Sequence, residues 1–297
     1  MPNLKDVRTR IDSINSTQQI TSAMKMVAAS KLRKAQNSIL TLRPYANKLN
    51  EILQNLIVSI GNTNENIYSN ERDPKNVLLI VIASNKGLCG AFNTNIIKKV
   101  NSLLEKKYQN QLKEGNLNLF CFGKKTSEYF TKRDYPVVES NIAIFDDLSF
   151  KNTSIFAEKL MQDFASKKYD KIEIIYNQFK NVAVQKIIVE QFLPIVPLSA
   201  IESKTEDTDV SADYIFEPNK TDIVRELIPK SLKIQFYKTL LDSFASEHGA
   251  RMTAMHQATD NAQEMLKELR LSYNKARQSA ITNELIEIVS GAEALNA

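Results

Sequence analysis

Ser84-Asn85-Lys86-Gly87-Leu88-Cys89-Gly90 is where a glycine-bearing loop could approach a phosphate, since it follows an apolar run and precedes a helical pattern. Doubly wound folds bind phosphates at such turns, where glycine admits the backbone and the helix start supplies N–H donors. The stretch fits neither G-x-x-x-x-G-K-[ST] nor G-x-G-x-x-G, so a tight structural turn is the reading it supports. Cys89 has the chemistry of a nucleophile, but no histidine of the middle segment could take its proton; a buried structural thiol is expected. His248 and His256 are the two histidines. Their spacing is about two helical turns, too far to share a metal unaided, and Glu247-His248 lacks the second histidine of H-E-x-x-H. No Asp or Glu pair has an environment that assigns it acid–base work. The sequence therefore assigns no catalytic, cofactor-binding or metal-binding residue.

Binding chemistry is better represented. Met24-Lys25-Met26-Val27-Ala28-Ala29-Ser30-Lys31-Leu32-Arg33-Lys34 sets four cations beside small residues and methionines on one helix. Residues 1–50 hold nine Lys/Arg and two Asp, a local +7 within a chain whose net charge is +5, so the remainder sums to −2. This is either the solvated face of a coiled coil or a basic collar for an acidic partner. Acidic protein loops suit it better than nucleic acid, because no aromatic residue interleaves with the cations from 24 to 34. At the other end, Ile281 to Ala292 closes in a dense apolar patch. Protruding past a partner helix, such a tip needs an apolar socket in another molecule.

The elements that carry these residues are legible from periodicity. Ala28, Leu32, Ala35, Ile39, Leu42, Ala46, Leu49, Leu53, Leu56 and Ile60 alternate steps of four and three, and Leu4, Val7, Ile11 and Ile14 do so earlier. That spacing keeps one seam toward a partner helix. Asn15 to Gln19 reads as a polar interruption, and Pro44 as a bend within a single helix. Leu241, Phe244, His248, Met252, Met255, Thr259, Ala262, Leu266, Leu269, Tyr273, Ala276 and Ala280 repeat the pattern, with one stutter at His248. A helix of about 70 residues spans roughly 100 Å, so the two seams most simply bury each other as an antiparallel coiled coil.

The residues between them alternate strand and helix. Val77–Ala83 is a continuous apolar run, as in a strand covered on both faces. Helix over 95–113, strand over 117–122, helices over 124–132 and 153–167, and strands over 171–176 and 182–190 follow. They predict a largely parallel, covered sheet. Glu202–Asp213 reads as an acidic loop. The expected organisation is α/β plus long α. An N-terminal coiled-coil helix occupies 1–60, a Rossmann-like αβ domain 74–205 and a C-terminal coiled-coil helix 211–297.

Bulk composition agrees. Gly 7 and Pro 8 in 297 residues are few, and they are concentrated in the middle. Hydrophobic residues at 43% and charged at 25% exclude wholesale disorder. The longest apolar run, Val77–Ala83, is too short to cross a membrane. MPNLKDVRTR lacks the apolar core of a secretory signal, and two cysteines suit a reducing compartment.

Three blocks carry a family resemblance. They are ITSAMKMVAASKLRKAQ at 20–36, GLCGAFN at 87–93, and SEHGARMTAMHQATDNAQEML at 246–266 continuing as LSYNKARQSAITNELIEIVSGAEAL to 295. The chain resembles the gamma subunit of bacterial F-type ATP synthase along essentially its whole length. The resemblance implies a non-catalytic rotor shaft without a cofactor, coupling proton flow to ATP synthesis or hydrolysis on the beta subunits. The implied partners are the alpha and beta subunits of the head, the epsilon subunit and the c-subunit ring, with no nucleic acid. The implied location is peripheral, on the cytoplasmic face of the bacterial cell membrane. By the same resemblance Met24 and Lys25 match a position facing an acidic beta loop, and Arg277 and Gln278 a pair that bonds a beta catch loop. Thr282 and Glu287 match shaft positions facing the N-terminal helix, and Ile288, Val289 and Leu295 an apolar bearing. The 202–213 loop has no counterpart, and Cys89 and Cys121 do not match the regulatory cysteine pair of the plastid form.

Overall fold

The computed structural model describes residues 4–60, 67–68, 72–182, 184–195 and 220–296. Glu202–Asp213 lies outside them. So do the side chains of Leu53, Leu56, Ile60 and Leu295. The chain divides into two compact units, Met1–Ala29 with Arg251–Ala297, and Ser30–Ala250, so the division falls inside both long helices.

The larger unit is built on a five-stranded sheet. In chain order its elements are β1 (Val77–Ile82), α2 (Phe92–Lys106), α3 (Gln109–Lys113), β2 (Leu117–Phe122), α4 (Lys124–Thr131), β3 (Val137–Asn141), α5 (Phe150–Ala165), β4 (Lys171–Phe179) and β5 (Gln185–Leu193). Strand order is β3-β2-β1-β4-β5, with β1 parallel to β2 and β4, and β2 parallel to β3. The hairpin into β5 makes that edge antiparallel, so the sheet is mixed. The expected strand over 182–190 begins at Gln185 because the turn before it is held by Asn181, whose Oδ1 accepts Val184 N–H at 2.7 Å.

Period-two alternation explains why β1 is apolar at every position. Leu78, Ile80 and Ile82 enter one core with Phe122, Phe164 and Phe236. Val77, Leu79 and Val81 enter the other with Ile96, Val100, Leu104 and Phe130. Each fully buried side chain of this size contributes about 1.5–3 kcal/mol. The helix expected over 95–113 is two, because Tyr108 leaves helical geometry and turns its ring into the second core. β3 has no counterpart among the expected strands. Its five residues alternate half-buried and exposed at the sheet edge, too short to register as periodic. Ser30–Ile60 of helix α1 (Leu4–Ile60) and Lys220–Ala250 of helix α6 (Lys220–Asn296) also belong to this unit, and Ile228, Leu232, Phe236 and Leu240 pack in the first core. α1 passes through Pro44 unbroken, as expected.

The smaller unit is the antiparallel pair formed by the first turns of α1 and the last of α6. On α6, Met255, Ala262 and Leu266 are buried and Leu269, Tyr273 and Ala276 half-buried. On α1, Val7, Thr21 and Ala28 are buried, with Leu4, Ile11, Ile14, Gln18 and Lys25 half-buried. The polar interruption expected at Asn15–Gln19 is therefore not a break in the seam. The three-and-four count runs on through Gln18, Thr21 and Lys25, and at Thr21 the polar residue meets a polar partner. Thr21 Oγ1 lies 2.9 Å from Thr259 Oγ1.

Candidate interaction surface of the paired terminal helices

The glycine-bearing loop after β1 is closed on itself. Ser84 Oγ donates to Lys86 O at 2.7 Å, and Ser84 N–H to Asn93 Oδ1 at 3.1 Å. Asn93 Nδ2 reaches Ser84 Oγ at 2.7 Å and Cys89 Sγ at 3.3 Å. Cys89 is buried and held in this cluster, which fits a structural thiol. Burial pushes the other thiol, Cys121, up to about 12. Gly123 faces the same loop with φ +109, and an added Cβ would stand 2.3 Å from Ala83 O. The end of β1 and the start of α4 are thus in close backbone approach at Ala83 and Gly123.

The histidines part company. His248 is buried, with its ring edge-on to Phe244 at 4.4 Å. His256 is exposed, with Nδ1 3.4 Å from Asp260 Oδ2. No group of His, Cys, Asp and Glu among the described residues could hold a metal ion. Among the described residues the displaced carboxyl belongs to the larger unit. Asp242 on α6 is 2% exposed and its Oδ1 has no hydrogen-bond partner. Desolvation raises it to about 6, against the pull of Lys238 and Arg43 and with the push of Glu190. Glu190 itself is satisfied, accepting from Gln235 at 2.6 Å and Tyr176 at 2.8 Å.

The distinctive surface lies on the smaller unit. Over residues 18–27 of α1 the usual amphipathic rule is inverted. Gln18, Thr21 and Lys25 occupy the seam, while Ile20, Met24, Met26 and Val27 face out, Met26 being 63% exposed. Ile20, Met24 and Val27 recur at i, i+4 and i+7, a stripe turned about 100° from the seam at ~100° per residue. Burial within the pair cannot account for apolar residues placed on the wrong side. Single exposed apolar residues are ordinary; an aligned stripe points to a partner. Lys25 shares this segment with Met24 but is half-buried on the seam, a position from which a long side chain can keep its ammonium in water.

Counting outward from Thr21–Thr259 along antiparallel helices brings Leu4 level with Ala276. Beyond that level α6 continues as a helix without the described part of α1 beside it. Arg277, Gln278, Thr282, Glu287, Ile288 and Val289 are all exposed, Ile288 by 62%. Ile281, Leu285 and Ile288 form an i, i+4, i+7 stripe with Gln278 one turn before it. Thr282 Oγ1 donates to Gln278 O at 2.9 Å. Thr282 and Glu287 thus stand past Leu4 in solvent, not against the described part of the N-terminal helix. The same count puts Met24 level with residue 256, so about 30 Å at ~1.5 Å per residue separates it from Arg277. The two regions are therefore separate surfaces along the pair. Thr21, Ile20 and Val27 were not singled out from sequence. Continuing the seam count past Ile14 would have found them.

Residues 3–295 match a family model described as ATP synthase. The chain is 54% identical to the ATP synthase gamma chain of Cytophaga hutchinsonii and 55% identical to that of Christiangramia forsetii, each over 296 residues and 100% of both chains. Among solved structures it is similar to a chain of the central stalk and c-ring of Tetrahymena thermophila mitochondrial ATP synthase. That match has TM-score 0.58 and 28% identity, covering 80% of this chain and 99% of that one. A chain of the Euglena gracilis mitochondrial ATP synthase rotor shares the fold, with TM-score 0.64 and 20% identity over 94% and 98% of the two chains.

Proposed function

Because this chain belongs to the gamma-chain family of ATP synthase, we propose that it is the rotor shaft of the central stalk, turning inside the catalytic head without performing chemistry itself. The observation that carries the reading is the inverted segment 18–27, whose outward Ile20, Met24 and Val27 need a partner outside the chain. The closed loop at the end of β1 supports the non-catalytic part, since its polar groups bond one another.

The mechanism follows from differential contact. A rotor shifts the conformation of a catalytic subunit only if its surface binds two states of that subunit unequally. Here the surface is uneven along the shaft and around it. Met24 and the Lys25 ammonium form one contact with the beta subunit, favoured electrostatically by an acidic loop. Arg277 and Gln278 form a second, about 30 Å further along, offering a guanidinium fork and an amide to carbonyls or carboxylates. Thr282 and Glu287 extend that contact, and Ile288, Val289 and Leu295 seat the end of α6 in an apolar bearing built by the alpha and beta subunits. The domain between the long helices meets the epsilon subunit and the c-subunit ring, which places the chain on the cytoplasmic face of the bacterial cell membrane. No described helix is long and apolar enough to cross a membrane, so attachment is through the complex.

The test is coupling in membrane vesicles. Arg277→Ala and Gln278→Ala complexes should assemble with alpha and beta, yet lose at least tenfold in proton-driven ATP synthesis. Wild-type coupling in both would count against these assignments, and failure of the chain to co-purify with alpha and beta would count against the rotor itself.

A further inference from the structure

Thr21 is 9% exposed on the α1 seam, and its hydroxyl meets that of Thr259 on α6 at 2.9 Å. Each oxygen also lies near a carbonyl of its own helix, Thr21 Oγ1 at 3.0 Å from Gln18 O and Thr259 Oγ1 at 2.8 Å from Met255 O. A hydroxyl has one proton to donate. One threonine therefore donates across the pair while the other donates back to its own helix.

On these turns the seam has few interlocking side chains, its larger apolar residues, Val7, Ile11 and Ile14 on α1 and Leu266, Leu269 and Tyr273 on α6, lying further toward the helix ends. Gln18, Lys25 and Ala28 line one side, and Met255 and Ala262 the other. Alanine gives no knob to interlock, and methionine reshapes easily. If α6 slides by one turn, Thr21 faces Met255 in one direction and Ala262 in the other. Both hydroxyls then keep their carbonyls and lose only the bond between helices. The pair thus distinguishes registers while adding little to folding, as a polar residue at a coiled-coil seam can.

We propose that the Thr21–Thr259 hydrogen bond pins the axial register of the terminal helices, making the two threonines a positioning pair for the outward stripe Ile20, Met24 and Val27. The pin itself follows from seam geometry; its consequence for coupling rests on the rotor function proposed above.

Disulfide trapping in the assembled complex tests it. Gln18→Cys is combined with Ala262→Cys, which is level with it, or with Ala258→Cys, one turn away. In the Thr21/Thr259 background the level pair should dominate. With Thr21→Val and Thr259→Val together, the ratio should move toward the offset pair by about fivefold, the worth of one net hydrogen bond. The thermal midpoint should stay within a few degrees, and ATP made per proton should fall. Thr21→Ser with Thr259 in place, which keeps both hydroxyls, should leave the ratio as in the threonine pair. An unchanged ratio in the double-valine complex overturns the pin. A shifted ratio with intact coupling keeps the pin and overturns its consequence for coupling. If the double variant does not assemble, Thr21→Val alone carries the same comparison.

Discussion

Asp242→Asn should stabilise the protein above pH 6 and do nothing for it below pH 4. The carboxyl, on α6, is 2% exposed, with Oδ1 unbonded. Burial raises it from 3.8 to about 6 despite Lys238 and Arg43 nearby. The folded state then holds this proton more tightly than the unfolded state. Between those two values the folded protein binds more protons, so stability falls as pH rises and is flat above about 7. A displacement of about two units at 1.36 kcal/mol each corresponds to roughly 3 kcal/mol. Asparagine is the same size and carries no charge to desolvate, and the attraction of both cations that it forfeits is already contained in that net displacement. A gain of about 1–3 kcal/mol remains, a rise in thermal midpoint of roughly 2–10 °C for a unit of this size. Thermal denaturation of the full chain and the variant, in half-unit steps from pH 4 to pH 8, measures it. A gap independent of pH, or a variant less stable at pH 8, would refute the reasoning, because either means burial of the charge is not what the site resists.

Other consequences follow from single contacts. Gly123→Ala should cost more than 3 kcal/mol, since the position combines φ +109 with a Cβ 2.3 Å from Ala83 O; Gly87→Ala, which meets nothing within 4 Å, is the control, and urea midpoints compare them. Lys107→Met removes the ammonium 2.6 Å from the buried Glu173 and leaves Lys171, at 3.6 Å, as its ion-pair partner among the described residues. Because Lys107 is partly exposed, the loss should be about 1–3 kcal/mol, and adding Glu173→Leu should recover most of it. Leu285→Ser with Ile288→Ser should leave chain stability within about 0.5 kcal/mol, both positions being exposed, while weakening assembly with the catalytic head in a pull-down.

What could be read from the sequence depended on how many residues repeat a signal. β1 was legible because six consecutive apolar residues serve two cores at once, which no turn or helix surface would tolerate. α1 across Pro44 was legible because the seam keeps phase on both sides of it. β3 was not, because five edge residues carry too little periodicity. The end of α2 at Lys106 was not, because Tyr108 packs into a core assembled from distant strands. Nor was the antiparallel turn of β5, since a hairpin and a crossover differ in topology more than in composition. Arg277 and Gln278 were nameable only by resemblance: an exposed polar pair on a helix has no local signature.

The segment 18–27 shows why the candidate surface was half hidden. Where apolar pattern alone marks the interior, Asn15–Gln19 reads as a polar interruption and Met24–Lys34 as a basic face. With seam and surface exchanged, the same ten residues make sense on both sides. A helix pair selected for its own stability would turn Ile20, Met24 and Val27 inward, each burial being worth about 1.5–3 kcal/mol. Keeping them outward and placing a Thr21–Thr259 bond inside forgoes that stabilisation. The exchange makes physical sense if the apolar surface is used against another subunit, and if the inner contact serves to hold that surface in place.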